Sequence, residues 1–221
     1  MKRSVAIAFL CLAAVVIALP ATAQQGFWLG VKGGYGSPSP DVSTDLDILK
    51  ATEDDGGIVA GLSFEGGWWK GLTVEGELLY ARRGTTNTYF GGYNDYGQYQ
   101  GDVVAEYTFT TLEIPLHVKY AFGTGSVRPF LVGGVNTTIP LDIESENRAD
   151  GRTSTEDAKD QFESAWFALE AGAGVDFKAG ATTVLTLEGR YVYGLTNVAA
   201  LSSDSWKWRD LRLLAGLKFR M

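Results

Sequence analysis

The chain has 221 residues, 45% of them hydrophobic and 20% charged, with a formal net charge of −7. This is enough for one ordinary domain and too apolar for a disordered polymer. Its 28 glycines follow no three-residue period, which excludes a collagen-like chain, and an acidic balance without a basic stripe excludes a general nucleic-acid binder. One histidine and one cysteine leave little material for metal or thiol chemistry, so no cofactor is expected.

Residues 1–23 read as an export signal. Lys2 and Arg3 precede an apolar run from Val5 to Leu19, and Pro20 is followed by Ala21-Thr22-Ala23. Ala21 and Ala23 have the small side chains a signal peptidase accepts, which makes Gln24 the expected mature N-terminus. The run is too short for a confident transmembrane helix. Cys11 lies inside it and is lost on cleavage, so the mature chain is expected to be thiol-free. It keeps 17 bases against 26 acids, a mature charge of −9.

From there residues 24–221 read as one domain of alternating segments. Eight are expected, at about Gly26–Tyr35, Gly57–Trp68, Leu72–Gly84, Glu106–Phe122, Val127–Thr137, Ser164–Phe177, Thr182–Leu195 and Asp210–Met221. In the fourth, Leu112, Ile114, Leu116, Val118 and Tyr120 interleave with Glu113, Pro115, His117 and Lys119. Successive side chains of a strand point to opposite faces, so each segment has one greasy and one mixed face. Tight turns follow the second, fourth and sixth segments: Trp69-Lys70-Gly71, Gly123-Thr124-Gly125-Ser126 and Lys178-Ala179-Gly180-Ala181. Long polar stretches follow the others. This alternation predicts an all-β fold, an eight-stranded antiparallel up-and-down transmembrane β-barrel with short periplasmic turns and long extracellular loops.

A soluble lipocalin-like barrel would also alternate, with its greasy face inward. Here the mixed face is small, carrying Gly30, Gly34, Gly61, Gly172, Gly174, Gly194 and Gly216, as a crowded eight-stranded interior requires. The greasy face carries aromatics towards its ends, among them Tyr35, Tyr80, Tyr120 and Tyr193, where interfacial girdles would lie. The chain also stops on its last strand. The expected location is therefore the outer membrane, with outer-membrane lipid around the barrel.

With the greasy face outward, the inward set is Lys32, Glu65, Glu75, Glu77, Arg83, Glu113, His117, Lys119, Glu170, Asp176, Glu188, Arg190, Arg212 and Lys218. Seven acids face six bases and one histidine, and charges in a narrow bore must pair, so a structural salt-bridge network is expected over an ion path. His117 is the sole imidazole. It lies about five residues before the turn at Gly123, facing inward on the periplasmic side, where a lipid-modifying enzyme of the outer leaflet would not place its base. No catalytic residue, metal ligand or cofactor-binding residue is expected. Pro115 and Pro129 each remove a ladder donor and read as local bulges.

The ending Gly216-Leu217-Lys218-Phe219-Arg220-Met221 resembles the C-terminal signal read by the outer-membrane assembly machinery. Gly216, Phe219 and Met221 match its spacing, while Met replaces the usual final Phe and Leu214 occupies a usually polar position. The runs Gly76-Glu77-Leu78-Leu79-Tyr80-Ala81-Arg82-Arg83-Gly84, Leu112-Glu113-Ile114-Pro115-Leu116, Val127-Arg128-Pro129-Phe130 and Arg190-Tyr191-Val192-Tyr193-Gly194-Leu195-Thr196-Asn197 resemble the PorT-type outer-membrane β-barrel family. The resemblance implies an eight-stranded Gram-negative barrel, some of whose relatives are linked to secretion machinery. Strand motifs encode the scaffold, so that role does not transfer with them.

Two of the long stretches are acidic: Gly36–Gly56 and Ile139–Glu163 each carry a net charge of −5. No calcium-loop spacing appears in them. Another holds Tyr89, Phe90, Tyr93, Tyr96 and Tyr99 among Gly, Asn and Asp, a candidate contact surface for an extracellular or secretion-system partner, or simply a hairpin extension. The function expected is a non-enzymatic outer-membrane scaffold with recognition in its outer loops. A narrow channel or transport-associated subunit is the alternative.

Overall fold

The computed structural model describes residues 26–39, 41–43, 49–69, 71–91, 101–149, 152–200 and 205–221. The expected export signal with Ala21 and Ala23, and also Tyr93, Tyr96 and Tyr99, lie outside the described residues. The strands are β1 (Phe27–Pro38), β2 (Asp41–Ser43), β3 (Leu49–Trp69), β4 (Leu72–Tyr89), β5 (Val103–Ala121), β6 (Val127–Ala149), β7 (Arg152–Asp157), β8 (Trp166–Lys178), β9 (Thr183–Gly194), β10 (Ser205–Lys207) and β11 (Arg209–Arg220). Eight of them form a ring in the order β5-β4-β3-β1-β11-β9-β8-β6, which β5–β6 pairing closes. Closure matters physically: a ring leaves no strand edge to face hydrocarbon unpaired.

The ladder register measures the ring. Trp28 faces Glu65, which faces Glu75, and the path continues through His117, Gly134, Glu170, Val192 and Asp210 to Pro38. One circuit from Trp28 to Pro38 is a shear of 10 residues. For eight strands this tilts each strand by about 40° and leaves a bore that side chains can fill. The tight turns lie where read, with Gly123 and Gly180 at φ 77° and 102°, a region costly for residues with a Cβ.

The two faces divide as the alternation predicts. Leu62, Leu78, Val118, Leu131, Leu187 and Leu213 are exposed on the outside, and Tyr35, Tyr80, Tyr120 and Tyr193 stand exposed among them. Polar and charged side chains fill most of the inside, with Val59, Leu79, Ala81 and Leu214 packed together among them.

Three readings are corrected. The stretches taken as loops are partly strand: β3 begins at Leu49, β4 reaches Tyr89, β5 begins at Val103, and β6 runs to Ala149 before pairing with β7. Their sequence is polar on both faces, since neither face meets lipid there, so apolar periodicity cannot reveal them. The prolines are not bulges. The β5–β6 register runs unshifted past Pro115, and only the pairing from β4 is interrupted opposite it, resuming in the same register. Pro129 lies at the turn, where its carbonyl accepts from Phe122 N–H at 2.8 Å, so its missing donor falls on the last rung. The irregularity in the β5–β6 ladder is at Leu141: Thr110 faces Asp142 and Thr111 faces Pro140. That extra residue flips the phase of β6, so Phe130, Val132, Asn136 and Thr138 point inward below it, and Ile143 and Ser145 above it.

Candidate functional site

All fourteen residues of the inward set lie in the bore and are buried, none more than 7% exposed. The shear assigns their partners. On the outer side Arg83 ion-pairs with both Glu113 and Asp210, while Arg212 holds Glu113 at 2.7 Å and Asp210 at 2.8 Å. Asn136 Nδ2 donates to Glu113 at 2.9 Å and Glu170 at 2.8 Å, which ties this group to the next. At mid-depth Arg190 grips Glu77 with both terminal nitrogens, at 2.6 and 2.7 Å. Lys32 Nζ there lies 2.8 Å from Glu75, 2.5 Å from Glu77 and 2.9 Å from Glu188. On the periplasmic side Lys218 reaches Glu65 at 2.5 Å, and Lys119 reaches Asp176 at 2.9 Å while lying 3.8 Å over the Phe130 ring. Charges taken out of water are tolerable only when so paired.

Two members escaped the sequence reading. Asp210, fully buried, sits at a segment end that reads as loop boundary. Arg128 reaches Asp176 at 3.5 Å from a strand whose phase the apolar pattern left undefined. Strict alternation back from Arg212 would have found the first. Gly216 is a packing requirement of the same network, because a Cβ there would lie 2.9 Å from Lys32 Cγ. Phe219 and Met221 point outward and are exposed.

His117 belongs to this network. Its Nε2 lies 2.9 Å from Glu170 Oε2, and no hydroxyl is bonded to either ring nitrogen. A nucleophile–base pair needs such a contact. Among the described residues no three His, Cys, Asp or Glu side chains are grouped to hold a metal ion.

Above the ion pairs the bore is covered by an apolar cap. Phe109, Ile143, Ala158, Phe162, Trp166 and Val198 are buried together with Trp206 and Trp208. Phe109 meets Phe162 edge-on at 5.1 Å and Trp208 at 5.0 Å, and Arg83 lies 5.3 Å from the Trp208 ring. The cap is built by segments 158–166, 198–200 and 206–208 over Phe109 and Ile143, with β10 pairing to β2. Tyr89 ends β4 and Phe90 follows it, exposed.

The family profile described as outer membrane protein beta-barrel domain matches residues 22–200. No curated protein matches the chain. Among solved structures, Neisserial surface protein A is similar at 15% identity and a TM-score of 0.49, covering 89% of this chain and 97% of its own. The outer membrane protein OprG from Pseudomonas aeruginosa is similar at 17% identity and a TM-score of 0.48, with 89% and 96% covered. Outer Membrane Protein W of E. coli is similar at 16% identity and a TM-score of 0.43, with 89% and 97% covered.

Proposed function

The chain belongs to the outer membrane protein beta-barrel domain family and is an outer-membrane protein; on that footing we propose that it is a non-conducting, non-enzymatic scaffold that presents its outer hairpins for recognition. The observation that carries this reading is the filled bore. Arg190 and Glu77 meet across it, and the aromatic cluster covers it from outside. Side chains that already satisfy one another leave no polar path for a solute. The pairing of His117 with Glu170 supports a structural role for that histidine over a lipid-modifying one.

The PorT-type kinship carried by the strand motifs is part of this proposal, as is engagement of the assembly machinery through Gly216, Phe219 and Met221. Recognition falls to the outer hairpins because lipid constrains one face of each membrane strand and the packed bore the other. The segment holding Tyr89, Phe90, Tyr93, Tyr96 and Tyr99 is rich in tyrosine, which offers large contact area with two torsions to freeze. The partner proposed is an extracellular or secretion-system protein.

Planar-bilayer recording tests the reading. The purified barrel is expected to show no steady conductance, and the variant combining Arg190→Ala with Arg212→Ala to show small flickering openings. Large, stable, ion-selective steps from the unaltered protein would establish the channel alternative.

A further inference from the structure

Below the lowest ion pairs the bore widens into a vestibule of about 430 Å³, at the end bearing the tight turns. The space exists because Gly26, Gly67, Gly71, Ala121 and Gly180 line it and project almost nothing into it. Its floor is electrically settled. Glu65 is held by Lys218 at 2.5 Å and by the Thr73 hydroxyl at 2.9 Å. Asp176 is held by Lys119 at 2.9 Å and by the Thr186 hydroxyl at 2.8 Å.

The rim is different. Arg128 is only 24% exposed in its side chain, yet among the described residues its one acidic contact is Asp176 at 3.5 Å, and its buried Nε has no partner. Among the described residues, Lys178 Nζ donates only to the Thr124 carbonyl, at 3.3 Å. Arg220 lies across Gly26, where a Cβ would come 2.7 Å from its Nε, and among the described residues it has no acid. Trp28 stands between Glu65 and Arg220 in the register, walling the cavity with an indole. Three cations thus surround a pocket whose two carboxylates are already engaged. Low-dielectric walls concentrate their field on whatever enters.

We propose that the periplasmic vestibule binds a small, dissolved, multivalent oxyanion of the phosphate class, held by Arg128, Lys178 and Arg220. Guanidinium groups suit such a ligand because their forked donors match two oxygens at once. The filled bore above makes the vestibule a dead end, so the anion binds and does not pass. The inference goes beyond the scaffold reading: conductance tests that reading, whereas binding tests this one.

The test uses inorganic pyrophosphate, titrated by calorimetry and phosphorus NMR against the full mature chain in a maltoside detergent. Saturable binding is expected, and Arg128→Gln should weaken it about tenfold, the loss of one charge-assisted contact. Thr73 lines the vestibule, and the mature chain offers no other thiol. Thr73→Cys, folded first and then coupled to a bulky maleimide, should abolish binding with every rim cation in place. Arg148→Gln, at the opposite end, should bind like the unaltered protein. Heat-dependent gel mobility confirms that each variant is folded. Absence of saturable binding, binding that survives the maleimide block, or equal weakening by Arg148→Gln would each overturn the proposal. Nanodiscs separate a dissolved anion from a lipid headgroup. Equal affinity in phosphatidylcholine and phosphatidylglycerol discs is expected, and loss in the latter would make the ligand a headgroup and sink the dissolved-anion assignment.

Discussion

Arg190 on β9 holds both carboxylate oxygens of Glu77 on β4, at 2.6 and 2.7 Å, across 113 residues of sequence. Three strands lie between the two in either direction round the ring, so the contact spans the full width of the bore. A bidentate pair at this place is both a strut and a plug.

Breaking that strut from one side should cost more than removing it. Arg190→Ala leaves Glu75, Glu77 and Glu188 to share Lys32 alone, and buried charges left without a partner cost about 3–5 kcal/mol. The double change Arg190→Met with Glu77→Gln removes one charge of each sign, keeps the balance of the unaltered cluster and should recover most of the loss. Urea titration in lipid vesicles, read by heat-dependent gel mobility, checks this. A double variant as weak as the single one would mean the pair acts through packing alone.

The aromatic cap should fail separately from the barrel. Phe162→Ala removes a ring that meets Phe109 at 5.1 Å and Trp206 at 5.3 Å, a local loss of about 3–5 kcal/mol. Segments 158–166 and 206–208 should become cleavable by added protease while the membrane-embedded strands stay protected. Simultaneous loss of barrel mobility on gels would show the cap and the barrel to be one cooperative unit.

Replacing Phe90–Gln100 with a short Gly/Ser connector should leave the barrel intact. Each doubling of loop length changes closure by only about 0.6 kcal/mol. A partner or adhesion phenotype of the intact protein should disappear with that segment. Should it persist and instead follow Glu77→Ala, recognition does not lie in this hairpin.

Gly216 should tolerate no branched side chain. The Cβ introduced by Gly216→Val would lie 2.9 Å from Lys32 Cγ and 3.1 Å from the Val31 carbonyl, so Lys32 must leave its three carboxylates or the strand must shift. Membrane-fraction yield should fall sharply. Phe219→Ala, on the exposed outer face, should lower yield only through recognition by the assembly machinery, leaving the urea midpoint of the folded fraction unchanged.

The strand count, the sidedness of the turns and the inward residues were legible in the linear chain because a membrane barrel obeys one local rule. Lipid on one face and a crowded bore on the other force strict alternation, and Leu112 to Tyr120 records it residue by residue. Above the membrane the rule lapses: Thr85, Thr86, Asn87 and Thr88 continue β4 with polar side chains on both faces, and no period marks them as strand. At Leu141 a single inserted residue reverses the phase, which composition cannot register. Pairing is a further matter. Which acid meets which base depends on a shear of 10, the accumulated offset of eight ladders, and only closure of the ring makes that offset a definite number. The linear chain therefore determined that Glu77 and Arg190 both face inward. The tertiary structure alone decided that they face each other, and that Arg128, Lys178 and Arg220 gather round one mouth.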